Sequence, residues 1–324
     1  MPSPNSNFSE IITTTLRNRS KKLADNVSKG NAILAELKRK GAWRPASGRT
    51  IVQELEYSEG NFQWYSGYET LNVTPADVLS AAEYDWKQAA GTVSVSGLEK
   101  DVQNVGKEAA INLLESRIKN AEKTLKNQIT VSMYGDGTGT GGKELDGLKK
   151  LVADTPTTGT VGGINRATST NSWWRNQTYD ATTDGSAAAT ALLIQGYMNE
   201  MYLRCSRGND KTNLIMSDKN YYKLYWSSMQ AIQRVTREDR AGAGFEELVF
   251  ANNVPVVYED STGIAANHMY FLNTDYLFFR YAENRNFTPM EKRSPINQDA
   301  EVHMILFAGN LTTSNASVQG ILKD

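Results

Sequence analysis

An α+β fold is predicted by three stretches of this 324-residue chain. Residues 50–73 read as an acidic, aromatic β-hairpin. Residues 98–134 repeat apolar side chains at three- and four-residue steps, the period of one long amphipathic helix. Residues 187–324 alternate helical segments with short runs of β-branched and aromatic residues.

The first fifteen residues are polar and irregular. Leu16, Leu23, Val27, Leu34 and Leu37 then fit an amphipathic helix, interrupted near Gly30 and ended at Gly41. Residues 41–48, with Pro45, read as a linker. The hairpin has predicted strands at 50–57 and 62–68, with turn chemistry at Ser58-Glu59-Gly60-Asn61. Strand alternation would put Phe62, Trp64 and Tyr68 on one face and Tyr65 on the other. A two-stranded hairpin is marginal alone in water. With large apolar groups pointing both ways, it is expected to lie on a neighbouring subunit.

Thr74, as N-cap, and Pro75, in the first helical position, predict a helix through Val78, Leu79, Ala82 and Trp86. Residues 92–96 alternate like a short strand. The long helix carries Leu98, Val102, Val105, Ala109, Leu114, Ile118, Ala121, Leu125 and Ile129 on its apolar stripe, and Glu115/Lys119 and Glu122/Lys126 as i,i+4 pairs. It would span roughly 50 Å and serve as a spine. The glycine-rich run 135–142 ends it, and 154–186 reads as loop with short strands. Helices are predicted at 187–205 and 219–230, and strands at 213–216, 247–250, 254–258, 269–272, 277–281 and 302–307. A polar strand or tail closes the chain.

Composition narrows the function more by exclusion than by pointing. Net charge is −1, and no run of eighteen apolar residues is present, so no membrane span or membrane partner is expected. The N-terminus lacks a charged start followed by an apolar stretch, so no secretory signal is read there. The single cysteine, Cys205, rules out an internal disulfide. Charge is unevenly placed. Residues 1–49 hold ten basic groups, among them Arg17, Arg19, Lys21 and Lys22, against three acids, a net of +7, and the rest of the chain nets −8. Residues 50–86 hold seven acids, including Glu54, Glu56 and Glu59, and no Lys or Arg. For any one of these charges solvation is the simpler account. Taken together, they suggest that the arm or hairpin of one subunit meets the opposite sign on another.

No catalytic, cofactor or metal motif is legible. Residues 137–144 imitate a GxxxxGK phosphate loop, but Glu144 stands where Ser or Thr is needed, and the run follows a helix rather than a strand. His268, His303 and Cys205 lack metal-ligand spacing. Trp173-Trp174 would suit a carbohydrate platform, a subunit contact or the anchoring of a long loop in the core. The basic arm could hold nucleic acid through phosphates alone. A non-enzymatic role, with no cofactor, is expected.

The order of parts resembles the major capsid proteins of tailed bacteriophages, which share the Hong Kong phage-type, or Johnson, capsid fold. The likeness is carried by Trp64-Tyr65-Ser66-Gly67-Tyr68-Glu69, Ser96-Gly97-Leu98-Glu99, Asn104-Val105-Gly106 and Tyr134-Gly135-Asp136-Gly137-Thr138-Gly139. It continues in Gly162-Gly163-Ile164-Asn165-Arg166, Trp174-Arg175-Asn176 and Asn253-Val254-Pro255-Val256-Val257-Tyr258-Glu259-Asp260.

The resemblance implies an N-terminal arm (1–49), an extended loop (50–75), a peripheral domain with the spine helix (76–139 and 263–324) and an axial domain (140–262). It implies pentamers and hexamers of an icosahedral phage head, assembled in the host cytoplasm around double-stranded DNA held by non-specific contact. Portal, scaffolding and decoration or cementing proteins would be partners. The subunit interface would use Glu54, Glu56, Glu59, Phe62, Trp64, Tyr65, Tyr68, Arg17, Arg19, Lys21 and Lys22. Some relatives lock the shell with Lys–Asn bonds from this loop; with no lysine in 50–86, none is expected here. The start at Met1, if it is the mature one, suggests a separate scaffolding protein rather than a fused propiece. An encapsulin-like nanocompartment shell is the alternative, and a carbohydrate-binding protein a more distant one.

Overall fold

The computed structural model describes residues 31–99, 113–229, 248–259, 263–290, 293 and 298–324. The chain runs through helix α1 (Ala32–Arg39), strand β1 (Trp43–Pro45) and the antiparallel pair β2 (Ile51–Glu56) and β3 (Leu79–Tyr84). Strand β4 (Lys87–Ser96) precedes helix α2 (Leu113–Tyr134). Short strands β5 (Thr160–Val161), β6 (Ile164–Asn165) and β7 (Gln177–Asp180) lead to helix α3 (Ile194–Arg204), strand β8 (Leu214–Ser217) and helix α4 (Lys219–Ser228). The chain closes through β9 (Leu248–Phe250), β10 (Val254–Tyr258), β11 (His268–Leu272), β12 (Leu277–Pro289), β13 (Ala300–Thr313) and β14 (Gly320–Lys323).

Two main sheets organise the molecule. One has the order β1-β12-β13-β4 and carries α2 along β4. Helix and strand are in contact at Gly91, where a Cβ would sit at an ordinary 3.7 Å from the Ala121 carbonyl oxygen. The other sheet has the order β7-β14-β11-β8-β10-β9. It separates two cores. Leu214, Met216, Tyr270 and Leu272 join the core built on α1, α2 and the first sheet, whereas Ile215, Met269 and Phe271 join the core under α3 and α4. A strand covered on both faces has no wet side. That is why Leu214-Ile215-Met216 is apolar without alternation.

The spine helix is confirmed over Leu113–Tyr134, about 33 Å at 1.5 Å per residue, and residues 100–112 lie outside the described part. Leu125, Ile129, Met133 and Tyr134 form its buried stripe. Glu115 and Lys119 pair at 2.5 Å. Lys126, expected opposite Glu122, instead sits 6.0 Å from the Phe287 ring centroid. Upstream, Ser96 Oγ accepts the Glu99 N–H at 3.2 Å and Glu99 Oε2 accepts the Ser96 N–H at 3.2 Å. This reciprocal capping box satisfies two donors at the helical turn that begins at Gly97.

Several expectations are corrected. No strand forms at 62–68: residues 57–78 carry no regular structure, and β2 pairs with β3 across them. Residues 79–84 are therefore strand and not helix, because the β2 ladder outweighs the local cap signal at Thr74-Pro75. The supposed linker 41–48 contains β1, whose Trp43 ring stacks on Phe279 at 4.4 Å. Helix α3 starts at Ile194 rather than 187. The C-terminal strand β14 is buried between β7 and β11. The stretch 263–324 thus contributes β12 and β13 to the first sheet but β11 and β14 to the second.

Candidate assembly surfaces

The excursion between β2 and β3 leaves the body of the subunit. Its two legs are bridged by side chains rather than by a backbone ladder. Asn61 Nδ2 donates to the Thr74 carbonyl, and Gln63 Oε1 accepts the Asn72 N–H at 3.0 Å. The tip is the turn at Ser66–Glu69, where the Glu69 N–H donates to the Ser66 carbonyl at 3.3 Å and Gly67 takes φ of 56°. The turn expected at 58–61 is displaced to this tip, and the expected alternation of faces does not apply to a segment that is not a strand.

The predicted interface aromatics are all on this excursion, and all are exposed. Trp64 is 86% exposed, and Phe62, Tyr65 and Tyr68 are comparably open. Phe62 and Trp64 meet edge to face at 5.2 Å, so they form one apolar knob, while Tyr68 stands at the tip. Leu71 and Val73 on the same excursion, not singled out from sequence, are exposed as well, as is Leu79 where the chain enters β3. At its root, Tyr57 touches the Trp173 ring at 5.7 Å, which ties the loop to the 169–174 segment.

Glu54 and Glu56 lie on the exposed face of β2, whose burial alternates strictly, and Glu59 is exposed just beyond it. Among the described residues none of the three makes an ion pair. Arg17, Arg19, Lys21 and Lys22 lie outside the described residues. The end of the arm is firmly held. Buried Glu259 accepts the Ile33 N–H at 3.2 Å and the Tyr134 hydroxyl at 3.1 Å, joining the first turn of α1 to the end of α2. Burial, and then the Glu259 charge, hold the Tyr134 phenol well above its ordinary pKa.

Other candidates resolve into structural roles. Trp174 is 1% exposed and donates its indole N–H to the Val161 carbonyl at 3.0 Å, so Trp173-Trp174 is not an open stacking platform. The Glu144 carboxylate lies against Gly139 and accepts from Thr140 Oγ1 at 2.9 Å, which puts a negative charge where a phosphate loop would hold an anion. Among the described residues no group of three His, Cys, Asp or Glu side chains is placed to hold a metal ion. No described helix is long and apolar enough to cross a membrane.

His268 bridges Asp154, at 3.3 Å from Nε2, and the Ala266 carbonyl, at 2.7 Å from Nδ1. Burial opposes its charging, but the Asp154 carboxylate and the Ala266 carbonyl outweigh burial and raise its pKa, while nearby Lys323 works against them. The hydrogen bond from His268 lowers that of Asp154. The histidine contribution is complete below its unfolded pKa, about 6.5, and is lost as pH rises through the higher folded value. The aspartate contribution is complete above about 3.9 and is lost as pH falls through the lower folded value. His268→Gln should therefore lower the melting temperature more at pH 5.5 than at pH 8.5. Equal lowering at both, measured by thermal unfolding, would show that the pair does not titrate.

No protein-family model matches the sequence, and no curated protein matches it. Solved structures do match its fold. A chain of the cyanophage A-1(L) capsid asymmetric unit superposes with a TM-score of 0.71 at 16% identity, covering 94% of this chain and 96% of that one. The capsid of the native GTA particle gives 0.63 at 10% identity, covering 99% of each. The holo-SrpI encapsulin complex from Synechococcus elongatus gives 0.56 at 9% identity, covering 93% of this chain and 91% of that one. The chain therefore has the fold of phage capsid subunits.

Proposed function

We propose that this chain, built on the phage capsid fold, is a major capsid protein. It would assemble as pentamers and hexamers into an icosahedral head around double-stranded DNA. The observation that carries this reading is the exposure of four aromatic side chains, Phe62, Trp64, Tyr65 and Tyr68, on an excursion held to its own subunit only at its root. Laid on a neighbour, each ring would contribute roughly 1.5–3 kcal/mol of burial. Closed symmetry repeats each contact many times, so individually weak contacts suffice.

In this reading residues 1–49 are the arm, 50–75 the extended loop, 76–139 and 263–324 the peripheral domain, and 140–262 the axial domain. A separate scaffolding protein, a portal and a decoration or cementing protein are the proposed partners. The DNA would be held without sequence reading, and the virion capsid is the proposed location. With no lysine in 50–86, stability would come from non-covalent contacts or from a cementing protein.

Expression of the protein alone and with its neighbouring genes, followed by electron microscopy and sedimentation, tests the assembly. Uniform closed shells or capsomers support it, and a persistent monomer overturns it. The match to an encapsulin favours one second reading, a nanocompartment enclosing protein. The contents of the shells separate the two. Reversing Glu54, Glu56 and Glu59 to Lys should abolish assembly and leave subunit melting unchanged, because all three side chains are exposed and none makes an ion pair among the described residues. Normal shells from this triple variant would remove charge complementarity from the account.

A further inference from the structure

We infer that Arg44 and Arg280 form a clamp that receives the Glu54 and Glu56 carboxylates of a second copy of this chain. This rests on the reading of the chain as a shell subunit and names where its acidic strand docks. Arg44 of β1 and Arg280 of β12 are register partners on adjacent strands. Both guanidinium groups lie over the Phe278 ring, at 4.6 and 4.9 Å from its centroid. Among the described residues neither meets a carboxylate. Arg44 Nε donates to the Gly41 carbonyl at 3.1 Å, and Arg280 Nη2 to Gln53 Oε1 at 3.4 Å. Burial, and then the Arg44 charge, lower the Arg280 pKa. An anionic occupant would relieve that repulsion and gain charge-assisted hydrogen bonds.

The occupant cannot be the same copy's acids. Gln53 turns inward to Arg280, and side chains alternate along a strand, so Glu54 and Glu56 point away from the clamp. The chain thus carries a cation pair and an acid ladder on different faces. Two complementary patches that cannot meet within one molecule define a head-to-tail contact, the kind that closes into rings. The spacing fits: alternate residues on a strand are about 7 Å apart, and two guanidinium groups over one ring are within roughly 10 Å. The base-free run of seven acids in 50–86 supplies no competing partner for Glu54 and Glu56 on their own strand pair.

A charge swap tests the clamp. Arg44→Glu with Arg280→Glu should cut shell yield at least about tenfold, as should Glu54→Arg with Glu56→Arg, while circular dichroism shows that each subunit still folds. All four changes in one chain should restore shells to within about twofold of wild type. Arg44→Glu alone, at an exposed side chain, repeats the test without disturbing the Arg280–Gln53 bond. Wild-type shell yield from the arginine variants, or no rescue by the fourfold variant when it folds normally, overturns the inference. Normal shells that fail to retain DNA would assign the clamp to phosphate and overturn it as well. A wild-type chain that never forms shells would instead overturn the shell reading beneath it.

Discussion

Trp64→Ala should abolish shell formation while leaving the melting temperature of the isolated subunit essentially unchanged. The indole is 86% exposed, and its ring neighbour in the structure is Phe62, itself exposed. A surface truncation of this kind changes subunit stability by about 0.5 kcal/mol or less. On a neighbour the same ring would be a central aromatic anchor, where truncation costs about 2 kcal/mol or more per contact. Because every subunit repeats the contact, the loss multiplies around a ring and across a shell. Sedimentation of the assembled fraction, alongside thermal unfolding of the subunit, separates the two effects. A fall in subunit stability that matches the fall in assembly would make Trp64 an ordinary packing residue of its own chain.

Arg166→Ala should have the opposite profile, a large loss of subunit stability. Arg166 is fully buried. Its Nε donates to the Trp174 carbonyl at 3.1 Å, Nη1 to the Lys150 carbonyl at 3.2 Å and to Asn176 Oδ1 at 3.4 Å, and Nη2 to the Leu151 carbonyl. One guanidinium thus closes three loop segments onto each other. Burial lowers its pKa to about 10, so it stays charged at neutral pH. Removing it strands several carbonyls at about 1–3 kcal/mol each and opens a cavity, so a total loss of about 4 kcal/mol is expected. Arg166→Lys should recover little, because one ammonium cannot reproduce the planar fork. Urea unfolding of the subunit reads both variants. A loss below about 1 kcal/mol for the alanine variant would mean that water replaces the fork without difficulty.

The two predictions divide along what could be read early. Trp64 stood out in the sequence because a two-stranded hairpin is marginal alone in water and this one was read with large apolar groups on both faces. Arg166 stood out only as part of a family-like string. Its role depends on Lys150, Leu151, Trp174 and Asn176 converging, and nothing in local spacing announces that. Arg44 and Arg280 were invisible for the same reason: they are 236 positions apart and become neighbours only through the parallel pairing of β1 with β12.

From sequence alone the α+β class, the spine helix and the buried strand at 213–216 were determined, since each is written in a local period or composition. Tertiary structure alone decided the partner of β2, the strand at 79–84, the insertion of β1 and the burial of β14 inside the second sheet. Helical periodicity is satisfied within a few residues. A strand is completed only by hydrogen bonds to another strand, and that partner's position along the chain leaves no local mark.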